Sequence, residues 1–565
     1  MKNHKMIVCF FLIATLLAPA ISCNRVPRPF RDDPPENSGS TTQEGSCYYV
    51  SQRSGDDNNS GKSEDDAWRH IEYAASMVEA GDTVKIEGGI YTKEFVVVAN
   101  AGTADAPIVF IGHKGIPVLD GVEYEGNGIT ISGKQYVTLK NIRVKRYRYG
   151  IWSENSNHTV IDGCVADSCS NVDYVGKGWD GYGITLKASH NSIVRNCSAT
   201  DNGGNNFFFN QTDNSLIENC KSYSRQSSNN QWATDYYFIF SWCDNNIVKN
   251  SHCENVTGWG KGDHGFFFKD TQGSSGGHGH STGNQVLDCV GINLSECFAV
   301  AHGAHHNTFE NCHSDNSSKS GGFNTCLMAR DGAHDNVFRE CTSYGGTMLA
   351  VVYDGSVEGG PDQEQTANLF ENCLFVNGDI GVYLRSSKQT TFKNCNFVNV
   401  ENMFRFSVTS FGGTDDNEGT LMSNCILYNV RKTYDTSLRD NGWGLYNAGS
   451  YSMEPGYDDM DDVKFEYSDF WGGFPMIAGI GNMSEDPLFA DLSKNDYHLK
   501  SQEGRWSGGS WINDDVTSPC INAGNPKDDY SNEPTPNGGR INIGYHGNKK
   551  HPRVAFPLSC LLMLM

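Results

Sequence analysis

His190-Asn191-Ser192-Ile193-Val194-Arg195-Asn196-Cys197 is echoed one repeat later by Asp213-Asn214-Ser215-Leu216-Ile217-Glu218-Asn219-Cys220, and again by His306-Asn307-Thr308-Phe309-Glu310-Asn311-Cys312. Further copies end at Cys164, Cys289, Cys341, Cys373, Cys395 and Cys425. Each copy is a polar turn, two β-formers and a polar pair closed by cysteine. Apart from the 69 residues between Cys220 and Cys289, successive copies lie 22 to 33 residues apart, within the range of solenoid periods. If each copy is one coil, equivalent residues stack about 4.8 Å apart. The cysteines then form an inward ladder of small, soft side chains, held as reduced thiols rather than disulfides. The Asn at the preceding turn bonds its own backbone and that of the next coil. The pattern predicts an all-β chain, a right-handed parallel β-helix.

A second strand precedes each phrase. Gly183-Ile184-Thr185-Leu186-Lys187, Asn206-Phe207-Phe208-Phe209-Asn210, Tyr237-Phe238-Ile239-Phe240-Ser241 and Gly265-Phe266-Phe267-Phe268-Lys269 superimpose. Alternation sends the second and fourth residues of each inward and the third and fifth outward. The outward row therefore mixes Lys187, Phe208, Asn210, Phe267 and Lys269, aromatic faces beside polar groups, as a sugar-polymer groove requires. His302 follows Lys269 by about one coil, and Arg330-Asp331-Gly332, Tyr353-Asp354-Gly355 and Arg385 continue the row. The two Asp-Gly pairs also suit ordinary tight turns.

The rest of the chain fits the same plan. The 62 Gly, 25 Tyr and 29 Phe with only 17 Pro suit many short strands and turns. A solenoid of 565 residues grows by adding repeats. A net charge of −23 argues against nucleic acid as a partner, and requires a locally basic groove or a bridging cation for any acidic polymer. Lys2, Lys5 and the apolar stretch from Met6 to Ala18 read as an export signal. Ala20-Ile21-Ser22-Cys23 resembles a lipoprotein cleavage box, which implies lipidation of Cys23 and an anchor in the outer membrane. The reading divides the chain into a signal (1–22), a tether (23–45), the β-helix with an N-terminal capping helix over Ala67 to Glu79 (46–430), irregular coils with a closing segment (431–548), and an apolar tail with no assigned role (549–565). A monomer is expected.

Tyr49-Val50-Ser51, Gly81-Asp82-Thr83-Val84, Gly89-Ile90-Tyr91 and Pro117-Val118-Leu119-Asp120-Gly121 resemble the start of exported β-helix proteins of the pectate-lyase-like group. Asp486-Pro487-Leu488-Phe489 and Ser518-Pro519-Cys520-Ile521-Asn522-Ala523-Gly524 resemble the end of such proteins. The nearest enzymatic pattern is that of the family 9 polysaccharide lyases, which carry a catalytic Lys on one strand and a calcium-binding carboxylate cluster on the preceding one. Phe267 stands at the family's Lys position, with Lys269 one outward step further. Asp235 is the carboxylate retained from the cluster. The resemblance implies a Ca²⁺ site in which Asp180 and Asp201 would join Asp235.

A uronate lyase removes the proton beside the sugar carboxylate and expels the glycosidic oxygen. The carboxylate must be neutralised by calcium or by Lys/Arg, and a Lys crowded by cations can act as base. Lys269, central in the row, is the candidate base, with His302 and Asp331 as further catalytic candidates. Lys187, Phe208, Asn210, Phe267, Arg330, Tyr353 and Arg385 are expected to bind substrate, the arginines through paired hydrogen bonds to carboxylate. The basic run Arg143, Lys145, Arg146 and Arg148 reads either as an attractor of acidic polymer or as an exposed edge. His278 and His280 lie in a Gly/Ser-rich loop that supplies too few ligands for a metal. The expected activity is lysis of an acidic, pectin-like polysaccharide. The alternatives are a glycoside hydrolase using two of Asp270, Asp331 and Asp354, and a non-catalytic glycan-binding lipoprotein, because one scaffold hosts many functions.

Overall fold

The computed structural model describes residues 45–170, 181–225, 234, 236–258, 263–269, 281–319, 324–353, 367–385, 387–407, 419–434, 463–507, 509–535 and 537–549. Their strands form three long parallel sheets of 15, 13 and 14 strands. One coil shows how the chain winds. Val137–Lys140, Arg143–Lys145 and Tyr149–Glu154 contribute one strand to each sheet, and Val160–Asp162 then pairs beside Val137–Lys140. This is the right-handed parallel β-helix that the repeat predicts.

The inward residues are those named by alternation. Phe207, Phe238, Phe266 and Phe298 stack with centroids 4.6, 4.7 and 5.3 Å apart, and Phe209, Phe240 and Phe268 at 4.7 and 4.4 Å. Each buried ring contributes about 1.5–3 kcal/mol. The ladder cysteines are buried free thiols, as expected. Cys312 Sγ donates to the Val286 carbonyl at 3.4 Å. Each Asn before the cysteine takes the left-handed turn, φ 54° at Asn196 and 53° at Asn219 and Asn311, a conformation that Asn tolerates better than most residues. The coil between Cys220 and Cys289 hid from the Cys pattern because Ser251 fills its place. The Ser251 hydroxyl donates to the Lys249 carbonyl and accepts the Cys220 N–H.

The capping helix is shorter than the sequence suggested. It spans Ile71–Met77, while Trp68 bridges Val50 in extended form. Its apolar face, Ile71, Ala74 and Ala75, is buried in the main core and hides that end of the solenoid. At the other end the coils run past Val430: Val463–Glu466 and Asp469–Trp471 pair onto the preceding strands. The closing segment then turns back. Phe489, Tyr497, Leu499, Ile543 and Tyr545 pack on Tyr344, Leu374, Val398 and Ile426 of the 14-stranded sheet, and Asn372 donates to the carbonyls of Tyr545 and Gly547.

Candidate functional site

The 13-stranded sheet carries the predicted row. Its six-residue strands pair at their first, third, fourth, fifth and sixth residues and skip the second, as in His264↔Glu296, Phe266↔Phe298, Phe267↔Ala299, Phe268↔Val300 and Lys269↔Ala301. The third and fifth residues enter the main core. The first and fourth share the outer face, where Tyr236, Ile239, Phe267, Met328, Met348 and Val351 form a separate apolar cluster.

Three of the predicted residues come together at the sixth column and the turn beyond it. Lys269 ends His264–Lys269, and His302 and Asp331 follow the next two strands, Glu296–Ala301 and Thr325–Arg330. His302 and Asp331 are left-handed, φ 55° and 54°, and each precedes a glycine at positive φ. In each turn the fourth residue returns a hydrogen bond, from Ala304 to the Ala301 carbonyl and from Ala333 to the Arg330 carbonyl. Both are mirror-image tight turns of the kind Asp-Gly favours. Gly303 N–H donates to the Asp331 carbonyl at 3.0 Å, which stacks one turn on the other.

Beneath this rim lies a charged network. Arg330 is buried between two carboxylates: its Nε lies 3.4 Å from Glu296 Oε1, and its Nη1 donates to Asp331 Oδ2. Glu296 also pairs with His264 Nδ1 at 3.0 Å. Burial alone would raise Glu296, but the Arg330 charge and then His264 outweigh it and hold the carboxyl at about 2. An ionised carboxylate only accepts, so His264 Nδ1 carries the proton of that bond. His302 Nδ1 lies 3.7 Å from Asp331 Oδ2. Burial lowers His302 to about 4, with Asp331 opposing and the Arg330 and Lys269 cations assisting, so the imidazole is neutral at pH 7. The Lys269 ammonium lies 5.1 Å from the Tyr236 ring centroid, and the Arg330 guanidinium 5.3 Å from that of Phe267.

His264 and Glu296 escaped the sequence reading because the aligned window began one residue too late, at Gly265. Starting at the first strand residue reveals the outward column Tyr182, Asn205, Tyr236, His264, Glu296.

Other predicted residues take different places. Phe267 points outward but is 1% exposed, covered by its contacts with Tyr236, His264 and Arg330, so it is a wall of the site rather than an open platform. Arg330 engages protein carboxylates instead of offering its fork outward. Lys187 pairs with Glu154 at 2.8 Å, Asn210 donates to the Ser241 carbonyl, and Phe208 and Arg385 are half-buried on the outer face. In the basic run, Arg143 pairs with Asp167, and Lys145 and Arg146 with Asp120, which neutralises much of its pull.

Of the expected calcium ligands, Asp201 Oδ1 accepts the Arg225 N–H at 2.6 Å, and burial raises its carboxyl. Among the described residues no group of three or more His, Cys, Asp or Glu is arranged to hold an ion, so Asp201 does not by itself make the site. Cys23, Asp180, Asp235, Asp270, His278, His280, Asp354 and the Tyr353 side chain lie outside the described residues.

Residues 48–235 match a family described as Pel9A-like, right handed beta helix region, and residues 399–524 one described as disaggregatase related. No curated protein matches the chain. Among solved structures, pectate lyase Pel9A is 13% identical over 89% of this chain and 97% of its own, with a TM-score of 0.37. An alginate lyase from Paenibacillus sp. str. FPU-7 is 15% identical over 50% of this chain and 95% of its own, with a TM-score of 0.37. The catalytic domain of a GH87 alpha-1,3-glucanase in complex with nigerose is 15% identical over 70% and 66%, with a TM-score of 0.42. The chain is a right-handed parallel β-helix protein, and its residues 48–235 match the Pel9A-like β-helix region.

Proposed function

We propose that the protein is an exported polysaccharide lyase, acting by β-elimination on a uronate-containing, pectin-like polymer at the site formed by Lys269, His302 and Asp331. The observation that supports it most is the convergence of these three side chains on one edge of the outer face, above the Glu296–Arg330 pair. In this reading Lys269, having lost its ammonium proton to solvent, takes as the neutral amine the proton from the carbon beside the sugar carboxylate. The C–H electrons form the ring double bond, the carbon–oxygen bond to the next sugar breaks, and the departing oxygen leaves with that pair and takes up the proton that Lys269 has removed. His302 is neutral, and the Asp331 carboxylate beside Nδ1 keeps its one ring N–H there, so that Nε2 accepts a hydrogen bond from a sugar hydroxyl. Asp331, fixed by Arg330, orients the imidazole, and Arg385, four coil steps along the row, serves the carboxylate of a more distant sugar of the same chain. Calcium bound near Asp180, Asp201 and Asp235 belongs to the proposal as an added neutralising charge, and no step here runs through it. The same reading anchors the protein to the outer membrane through Cys23.

A hydrolase needs one carboxyl that keeps a proton to donate. Of the carboxylates that could serve, Asp331 is bonded to Arg330 and does not fit that role, and Asp270 and Asp354 lie outside the described residues.

The test is ultraviolet absorbance of unsaturated sugar ends, with polygalacturonate, alginate and glycosaminoglycans, each with calcium and with chelator. Wild type is expected to raise absorbance on one acidic polymer, and Lys269→Ala to abolish it. A flat wild-type trace removes the lyase reading; release of reducing ends without absorbance would establish a hydrolase instead.

A further inference from the structure

Four aromatic side chains line the outer face of the same sheet, on the strands Tyr149–Glu154, Tyr182–Lys187 and Asn205–Asn210. The Tyr182 ring is the hub: its centroid lies 5.1 Å from Tyr149, 6.4 Å from Trp152 and 5.1 Å from Phe208, and it is nearly parallel to the Trp152 ring, at 13°. Thr185, between Trp152 and Phe208 in the fourth column, is fully buried. The small residue leaves the space that the Tyr182 ring crosses. All four aromatics stay half-exposed, whereas Ile239 and Phe267, further along the same column, are buried.

The inner core does not need these rings, because Ile151, Ile184 and Phe207 fill it on the same strands. A contiguous, partly wet aromatic surface is a feature of binding faces. Its rim is polar. The Trp152 indole N–H donates to Glu154 at 3.2 Å, Lys187 pairs with Glu154, and the Arg148 guanidinium lies 5.2 Å from the Tyr149 centroid. Aromatic faces stack against the C–H faces of pyranose rings, and the exposed Arg148 guanidinium beside them suits a carboxylate.

We propose that Tyr149, Trp152, Tyr182 and Phe208 form a remote glycan-binding platform that holds a second stretch of the same uronate-containing polysaccharide. The inference rests on the function proposed above for its occupant. Continuity carries it: the platform shares its sheet and outward columns with the Lys269 site, two coil steps away at Phe208 and four at Trp152, or about 10 to 19 Å at the spacing of neighbouring strands. One coil step is comparable to the length of one sugar unit, so a chain lying along the solenoid axis would reach both. The platform would make the protein favour long chains over short oligomers.

The experiment is affinity electrophoresis through gels containing polygalacturonate, alginate or a neutral α-glucan. All variants carry Lys269→Ala so that no chain is cut, and each is checked for an unchanged melting midpoint. The Lys269→Ala parent is expected to be retarded by an acidic polymer, and Trp152→Ala or Tyr182→Ala to bind it about tenfold more weakly, as for loss of a dominant aromatic contact. If Tyr182→Ala does not fold, Tyr182→Leu keeps much of the packing and removes the ring. Retardation equal to the parent in these variants, retardation by the neutral glucan alone, or none by any polymer would overturn the platform. The two proposals separate cleanly. Retardation that depends on Trp152, without unsaturated products from wild type, keeps the platform and removes the lyase; unsaturated products with retardation indifferent to Trp152 do the reverse.

Discussion

Thr185 is fully buried, and its hydroxyl has no hydrogen-bond partner among the described residues. Replacing it with Val keeps the shape and removes the cost of desolvating an unpaired group, so Thr185→Val should stabilise the protein by about 1 kcal/mol, read from the denaturant midpoint. A midpoint that falls would mean that the hydroxyl is bonded. Glu296 is the opposite case. Its removal leaves the Arg330 guanidinium buried beside a single carboxylate, so Glu296→Ala should cost roughly 3–5 kcal/mol. Lys269→Ala, at the half-exposed rim, should cost much less, and equal losses in thermal melts would refute this division between floor and rim. The same contrast explains what the sequence could disclose. Lys269, His302 and Asp331 were legible because each recurs at a fixed place in a repeated strand and turn. The floor was not, because His264 and Glu296 precede the aligned window, and because nothing in a linear pattern says that Arg330 faces two protein carboxylates rather than solvent.

At the level of the repeated element, two polar ladders brace each coil against the next. In one, Asn246, Asn284, Asn307, Asn336 and Asn368 are buried in line. Each side-chain N–H of the first four donates to the next side-chain oxygen, at 2.9–3.2 Å, and to a backbone carbonyl of a preceding coil. Asn307→Ala removes the acceptor of the Asn284 N–H groups and the donor to the Ser281 carbonyl, at roughly 1–3 kcal/mol for each group left unpaired. The cysteine ladder should be more forgiving, since Ser251 already occupies one of its places. Cys312→Ser is therefore expected to lower the melting midpoint less than Asn307→Ala, and the reverse order would show that the thiols carry the stack. Because the described cysteines are free thiols, a reducing agent should leave the melting midpoint unchanged. The cysteine ladder was readable as a single recurring letter. The asparagine ladder was only half readable: its polar residues sit within the repeated phrase, but side chains turned inward to bond one another break the rule that inward positions are apolar.

Across the whole molecule, the stretch that sequence periodicity described least well is the one whose closure depends on protonation. Past Val430 the repeat fades, because the chain stops adding regular coils after Asp469–Trp471 and returns along the flank, where its contacts reach residues well over a hundred positions earlier. Within that segment the His498 and His546 rings stack at 4.0 Å. His546 is buried, with no hydrogen-bond partner for Nδ1 among the described residues, and burial, then His498 and Lys549, holds its imidazole well below the usual value. The folded protein thus keeps His546 neutral where the unfolded chain, with a histidine near 6.5, takes up a proton. The unfolded state binds more protons below that pH, so this contribution to stability is complete above about pH 6.5 and declines as the pH falls, by up to about 1.4 kcal/mol per pH unit for each such group. His302 and His313, both lowered to about 4 by burial, act in the same direction. Glu94 and Asp469, raised by burial to about 7 and 6, act in the opposite one, because they lose stability as the pH rises. The variant that isolates the closing segment is His546→Gln, which cannot titrate. Between pH 6.5 and 5, wild type should lose more stability than His546→Gln in matched denaturation curves. Hydrogen exchange in residues 486–549 should quicken in wild type before it does in the central coils. Parallel pH profiles for the two proteins would mean that His546 does not couple closure of this flank to protonation.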